Sequence, residues 1–221
     1  MCKKVVIFDL DDTLYKEIDY LKSAYREIAG LVYPALEADF KEKDAVYHWM
    51  MTNYHQGKNV FDELMHRGVP FDKQELLQIY REHKPTIGLS DGAVEILEAL
   101  KKEGHMLGLI TDGRSLTQRN KIEALGLDKY MESSLVLISE EIGFGKPSLK
   151  GYQYVMQRYP ESRYVYVGDN PKKDFYAPNQ LGWSTICLNN DGRNIHLQEE
   201  VEVAYRAQVT INNLKGIIEI I

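Results

Sequence analysis

Six short apolar runs punctuate the chain: VVIF (Val5–Phe8), MLGLI (Met106–Ile110), SLVLIS (Ser134–Ser139), YVYV (Tyr164–Val167), STICL (Ser184–Leu188) and QVTI (Gln208–Ile211). Most are rich in β-branched residues, and their apolar positions are largely consecutive rather than alternate. That pattern predicts strands buried on both faces, as in a parallel sheet. Between most of them the apolar positions fall at helical spacing. SDGAVEILEALKKEG predicts a helix with Ser90 as N-cap and Gly104 as the glycine just past its end. SLTQRNKIEALG ends in the same way at Gly126, and SLKGYQYVMQRY runs into Pro160. Strands alternating with helices predict an α/β fold, a doubly wound parallel sheet of the Rossmann-like kind.

From Tyr15 to Leu89 the alternation stops. This segment holds helical stretches instead: IDYLKSAYREIAGLV, KDAVYHWMMTNYH, NVFDELMHRG and DKQELLQIYREHK. Leu21, Tyr25, Ile28 and Val32 follow the spacing of one helix face. The segment is too long for a connection and long enough for a small domain. The expected organisation is an α/β core made of residues 1–14 and 90–221, with an α-helical domain, 15–89, inserted after the first strand.

Composition narrows the function classes. The chain has 221 residues, 44% of them hydrophobic, enough to build one large core. Its formal charge of −6 disfavours nucleic acid as a partner, although local positive spots can still hold a small anion. Cys2 and Cys187 show neither pair spacing nor a metal-type cluster, so they read as one small surface residue and one small buried one. The apolar start MCKKVVIF meets Asp9 too soon for a signal peptide, and no run approaches a membrane span. A cytoplasmic protein with no membrane partner, monomeric or weakly dimeric, is expected.

In an open parallel sheet, ligands bind beyond the C-terminal ends of the strands. Here those ends carry Asp9-Leu10-Asp11-Asp12-Thr13, Thr111-Asp112-Gly113-Arg114, Gly145-Lys146-Pro147 and Gly168-Asp169-Asn170, with Asp174 following. Each piece alone also reads as an ordinary turn. Gathered on one edge, Asp9, Asp11 and Asp169 would repel and raise one another's pKa. A hard divalent cation relieves that repulsion, and Mg2+ suits a site with few carboxylates and several waters. Lys146 adds a fixed positive charge, and cation and lysine together attract a phosphate. Thr111 and N–H groups near Gly113 would donate to its remaining oxygens.

The motifs FDLDDTL, LITDG, GKP and GDNPKKD stand in the order and spacing of the haloacid dehalogenase superfamily, which the chain resembles through QRNKIEALGL, ISEEIGFGKP, LGWSTICLNN and TINNLKGIIEII as well. The insertion matches that family's helical cap in position and helical character alone. The resemblance implies a hydrolase in which Asp9 is the nucleophile and forms an aspartyl-phosphate. Asp11 would protonate the leaving oxygen and later deprotonate water. Thr111, Asp112, Gly113 and Lys146 would hold the phosphoryl group. Mg2+ would lie between Asp9, the Asp11 carbonyl and Asp169, with Asp174 supporting that shell or orienting Lys146. Asp12 suits a turn.

Family members that displace halide generally lack the second carboxylate, so Asp11 favours a phosphatase of small phosphorylated metabolites. ITDGRSLTQ…ISEEIGFGKP resembles members that hydrolyse nucleoside monophosphates. Phosphomutase chemistry and a phospho-aspartate switch without turnover remain as alternatives. Proline at position 178, where the family often has Gly-Ala at 177–178, implies a local adjustment within a first helical turn. Arg114 has two readings, a substrate contact or a solvated side chain. Lys172 and Lys173 read as a solvated face or as steering charges. None of the six histidines has metal-ligand spacing, and none is assigned a catalytic role. In the insertion, Tyr15, Tyr20, Asn53, Tyr54, His55 and Lys58 read either as pocket lining or as packing.

Overall fold

The computed structural model describes residues 3–221. Cys2 lies outside them. Six strands form one parallel sheet: β1 (Lys4–Phe8), β2 (Met106–Thr111), β3 (Val136–Ile138), β4 (Arg163–Gly168), β5 (Ser184–Leu188) and β6 (Val209–Ile211), in the order β3-β2-β1-β4-β5-β6. Each expected apolar run is a strand. β1 lies in the middle, in register with β2 (Val5 opposite Met106) and with β4 (Val5 opposite Tyr164). The chain reverses direction of winding there, between β1 and β4, which opens a crevice at their carboxyl ends.

The helices connecting these strands are α5 (Ala93–Lys102), α6 (Ser115–Ala124), α7 (Ser139–Ile142), α8 (Leu149–Arg158), α9 (Pro171–Asp174) and α10 (Tyr176–Gln180). On one face of the sheet Val5, Ile7, Ile110, Tyr166 and Cys187 pack with Tyr152, Val155, Phe175 and Trp183. Val6 and Phe8, which alternate with Val5 and Ile7, are equally buried on the other face. A strand buried on both sides has no polar position to spare, which is why the runs read as continuous. Gly108 marks the tightest point of β2. A Cβ there would lie 2.5 Å from the Leu135 Cβ and 2.7 Å from the Leu135 carbonyl oxygen.

One helix start differs from expectation. Gly92, in the left-handed conformation (φ 82°), is the N-cap of α5. Ser90 instead uses its backbone, with its N–H donating to Leu14 O at 2.8 Å and its carbonyl accepting from Ala93. Pro178 sits in the first turn of α10, the adjustment expected of it.

Two compact units divide the chain: Met1–Ile18 with Gly88–Ile221, and Asp19–Ile87. The second is all helical, built from α1 (Glu17–Leu36), α2 (Lys43–His55), α3 (Val60–His66) and α4 (Lys73–Glu82). Tyr20, Leu21, Ala24, Tyr25, Ile28 and Val32 form the buried stripe of α1. Tyr25 meets Tyr54, Phe61 and Tyr80 edge-on, and the Tyr20 hydroxyl donates to Tyr80 O. These tyrosines therefore pack the helical unit. α4 opens with a full capping box, Asp72 and Glu75 exchanging side-chain and backbone hydrogen bonds. No helix among the described residues is long and apolar enough to cross a membrane.

Candidate active site

The carboxyl ends of β1, β2 and β4 border one cleft of about 130 Å3. Asp9, Asp11, Asp12, Glu17, Thr111, Asp112, Lys146, Asp169, Asn170, Lys173 and His196 line it, all from the first unit. Asp9 stays in the sheet by donating its N–H to Val167 O at 2.8 Å, so its side chain stands at the sheet edge. Lys146 Nζ reaches Asp9 Oδ1 at 2.6 Å, Asp174 Oδ1 at 2.7 Å and the Tyr166 hydroxyl at 3.2 Å. All three ammonium protons are thereby used.

Asp174 is fully buried. Its Oδ2 accepts the N–H groups of Asp169 at 3.1 Å and Asn170 at 2.8 Å, which shapes the turn after β4. Gly168 makes this possible, since a Cβ on it would stand 2.5 Å from that oxygen. Asp112 plays a similar part for Lys146. Its Oδ1 accepts the Lys146 N–H at 3.0 Å, and Gly145 leaves room for it. Asp169 is steadied by Asn194 Nδ2 at 2.9 Å and the Thr13 hydroxyl at 3.4 Å.

Asp12 has a positive φ of 57°, rare for a residue with a side chain. Its carboxylate offsets that strain by accepting the N–H groups of Glu17 at 3.0 Å and Ile195 at 3.1 Å. The turn it builds separates Asp11 from α1, in keeping with a turn role. Gly113 does not line the cleft. Its N–H donates to Ser139 Oγ at 2.9 Å, and a Cβ there would press on Gln118 at 3.0 Å.

Electrostatics sort the carboxylates. Burial pushes Asp9 up to about 7; Lys146 opposes the rise, and Asp174 and Asp11 add to it. Burial likewise pushes Asp169 up to about 9, helped by Asp9 and Asp174. Glu17 is raised to about 7, first by burial and then by Asp11. Asp11 behaves oppositely. Burial acts to raise it, but the Lys121 charge and hydrogen bonds from Lys121, Tyr15 and Gln118 hold it below the usual carboxylate range. Lys146 is kept charged well above the ordinary lysine range, because Asp174 and Asp9 outweigh its burial.

The residues present suit a cation. Oxygens of Asp9, Asp169 and Asp174 lie within 4.8 Å of one another, and the Lys146 ammonium pairs with Asp9 and Asp174. Asp174 is committed to Lys146 and to two N–H groups, which leaves Asp9 and Asp169 as the carboxylates with lone pairs to offer. An all-oxygen donor set with surplus negative charge fits a small hard divalent ion.

Several partners of the cleft residues stand outside the four motifs. Tyr15, Gln118 and Lys121 surround Asp11. Asn194 and Gln198, from the segment after β5, hold the Asp169 side chain and its carbonyl. His196 and Glu17 line the wall. Gln118 and Lys121 carried one usable signal, a three-residue separation that puts both on one helix face. Arg114, Lys172 and Gly113 are not among the lining residues.

A doubly wound sheet that gathers carboxylates and the buried side chain of Lys146 at its carboxyl edge defines an α/β enzyme working at that edge. The sequence pattern of the haloacid dehalogenase-like hydrolases matches residues 6–188, and the chain belongs to that family. It is 30% identical over 230 residues to the glyceraldehyde 3-phosphate phosphatase of Methanocaldococcus jannaschii, covering 99% of this chain and 96% of that one. The pyrimidine 5′-nucleotidase YjjG of Escherichia coli is 27% identical, over 83% of this chain and 85% of its own. Among solved structures, the putative HAD-hydrolase YfnB of Bacillus subtilis, bound to magnesium, shares the fold with a TM-score of 0.64 at 21% identity, over 100% of this chain and 99% of that one. The chain is thus a hydrolase, and its curated relatives act on phosphate esters.

Proposed function

We propose that the protein is a Mg2+-dependent phosphatase of small phosphate monoesters that works through a phospho-Asp9 intermediate. One observation carries this reading: Asp9, Asp11, Thr111, Lys146 and Asp169 line a single cleft at the carboxyl edge of the sheet. The Asp9 carboxylate attacks phosphorus, an Asp9 O–P bond forms, and the ester P–O bond breaks. Asp11 gives its proton to the leaving oxygen. In the second half Asp11 takes a proton from water, which attacks phosphorus and releases inorganic phosphate, restoring Asp9. Lys146, by exchanging its long 3.2 Å bond to the Tyr166 hydroxyl for substrate, and the Thr111 hydroxyl hold the phosphoryl oxygens. Mg2+, held by Asp9, the Asp11 carbonyl and Asp169, would supply charge neutralisation for the attacking carboxylate and the phosphoryl group.

The substrate class follows relatives that span 99% of the chain, phosphatases named for glyceraldehyde 3-phosphate, a three-carbon phosphate. The open cleft of about 130 Å3 in this unit accommodates the phosphate end of such an ester. Nucleoside monophosphates are the competing class, supported by the nucleotidase among the relatives. Phosphate release from glyceraldehyde 3-phosphate, phosphoglycolate, sugar phosphates and nucleotides ranks these classes directly. Asp9→Asn should reduce turnover with Mg2+ at least ~1000-fold, as for loss of a covalent nucleophile. Full turnover by Asp9→Asn would refute the mechanism. Multiple turnovers with stoichiometric phosphate release distinguish hydrolysis from mutase chemistry and from a long-lived phospho-aspartate.

A further inference from the structure

Asp11 is clamped from the side of α6. Its Oδ1 accepts the Tyr15 hydroxyl and Lys121 Nζ, the latter at 2.6 Å. Its Oδ2 accepts Gln118 Nε2 at 2.9 Å, and the same nitrogen donates to Thr111 Oγ1 at 2.6 Å. An ionised carboxylate only accepts, so the amide nitrogen of Gln118 must face it. Gln118 and Lys121 are 1% and 3% exposed, unusual for long polar side chains on a helix. Gly113 in the TDG motif makes room for Gln118, since any Cβ there would collide with it.

We propose that Gln118 and Lys121 are positioning residues for leaving-group protonation, fixing the Asp11 carboxyl beside the phosphate-holding Thr111. This rests on the phosphatase reading. Both lone pairs of Oδ1 are taken by Tyr15 and Lys121, so Oδ2, which keeps one free lone pair, is the oxygen through which Asp11 can exchange a proton with the substrate. Gln118 fills a lone pair of Thr111 and leaves the Thr111 hydroxyl proton for a phosphate oxygen. One amide thus ties the group that holds phosphate to the group that protonates the departing oxygen. When the P–O bond breaks, its electron pair goes to the leaving oxygen, which takes the Oδ2 proton, and Asp11 becomes a carboxylate. An alkoxide needs that proton. A dinitrophenolate does not, because it is already a stable anion.

The test compares kcat/KM for an alkyl phosphate and for 2,4-dinitrophenyl phosphate, using full-length protein saturated with Mg2+. Lys121→Met and Gln118→Met should each lose ~30- to 100-fold on the alkyl ester and less than ~5-fold on the aryl ester, since general-acid help is at stake only in the first. Lys121→Arg, which keeps the charge, should recover part of the alkyl rate. Equal losses on both esters would overturn the proposal, because a merely structural defect has no reason to read the leaving group. Circular dichroism and Mg2+ titration confirm that each variant is folded. Should Lys121→Met fail to fold, Gln118→Met, which removes no charge, carries the same comparison. If wild type hydrolyses neither ester, the phosphatase reading fails first, and the two failures are told apart.

Discussion

Asp174 touches no part of the proposed substrate, yet its removal should be among the costliest changes in the core. Its two oxygens accept four hydrogen bonds, from Lys146, Tyr166, Asp169 and Asn170. Asp174→Ala strips one of the two carboxylates from a buried ammonium and orphans the buried N–H of Asp169 and the half-buried N–H of Asn170. Removing one partner of a buried ion pair costs about 3–5 kcal/mol, and each orphaned donor about 1–3 kcal/mol. The contributions overlap, because Asp9 still holds Lys146 at 2.6 Å and water can enter the vacated space. A net loss of about 4–6 kcal/mol is expected from these terms, a large share of a typical domain stability. Asp174→Asn keeps the shape and one acceptor for the two N–H groups, so about 2–3 kcal/mol is expected, for the lost charge pairing. Urea unfolding of the metal-free protein measures both. Trp183, 1% exposed in the sheet core, supplies a fluorescence signal from that unit. An Asp174→Ala midpoint within about 1 kcal/mol of wild type, at unchanged m-value, would refute the account of this network.

Other predictions address the same edge. Gly168→Ala places a Cβ 2.5 Å from Asp174 Oδ2 and should displace that carboxylate, lowering both stability and turnover. Gly108→Ala meets Leu135 at 2.5 Å and should destabilise by about 1–3 kcal/mol or more through overpacking, leaving turnover per folded molecule unchanged. Stability and pH are linked through Asp9, raised to about 7, and Asp169, raised to about 9. Between the unfolded carboxyl value near 4 and those raised values, the native state holds protons that the unfolded chain has released. The stability of the metal-free protein therefore falls as pH rises across that window. Asp11, whose pKa is lowered, contributes stability that is lost only as pH falls through its folded value, outside the window. A cation that replaces those protons should raise the melting temperature more at about pH 8 than at about pH 5.5. An equal Mg2+ shift at both would count against the cation site.

The core was legible because its strands are buried on both faces. Continuous apolar runs such as VVIF and YVYV have only one comfortable environment, and a carboxylate, Asp9 or Asp169, stands within two residues of the end of each of these two. The helices were legible for the complementary reason, burial of one face only, and the stripe of Leu21, Tyr25, Ile28 and Val32 is the buried side of α1. Caps were less so. Ser90 is a good N-cap residue by type, but its N–H is drawn to Leu14 O and the helix starts at a left-handed Gly92 instead. A local signal lost there to a long-range hydrogen bond.

The candidate site divides along the same line. Asp9, Asp11, Thr111, Lys146, Asp169 and Asp174 could be picked out because each stands just past a strand or at a fixed offset from one, and topology brings strand ends together. The partners of those residues could not. Tyr15, which the sequence places with the insertion, folds with the first unit and donates to Asp11. Gln118 and Lys121 lie on a helix whose mostly polar sequence gives no sign that they are buried, and Asn194 and Gln198 lie in a segment with no pattern at all. Asp112 and Gly113 fall inside a motif, yet Asp112 holds the Lys146 N–H and Gly113 yields space to Gln118.

By itself, then, the chain determined the parallel sheet and the chemical types at its carboxyl edge, since these depend on burial and on residue spacing, while the strand order came from the tertiary structure. Only the tertiary structure decided which carboxylate is clamped by Lys121, which is tied to Lys146 and which is left short of positive charge. Those differences depend on distances of a few ångströms between residues up to 165 positions apart, such as Asp9 and Asp174, and no local pattern encodes them.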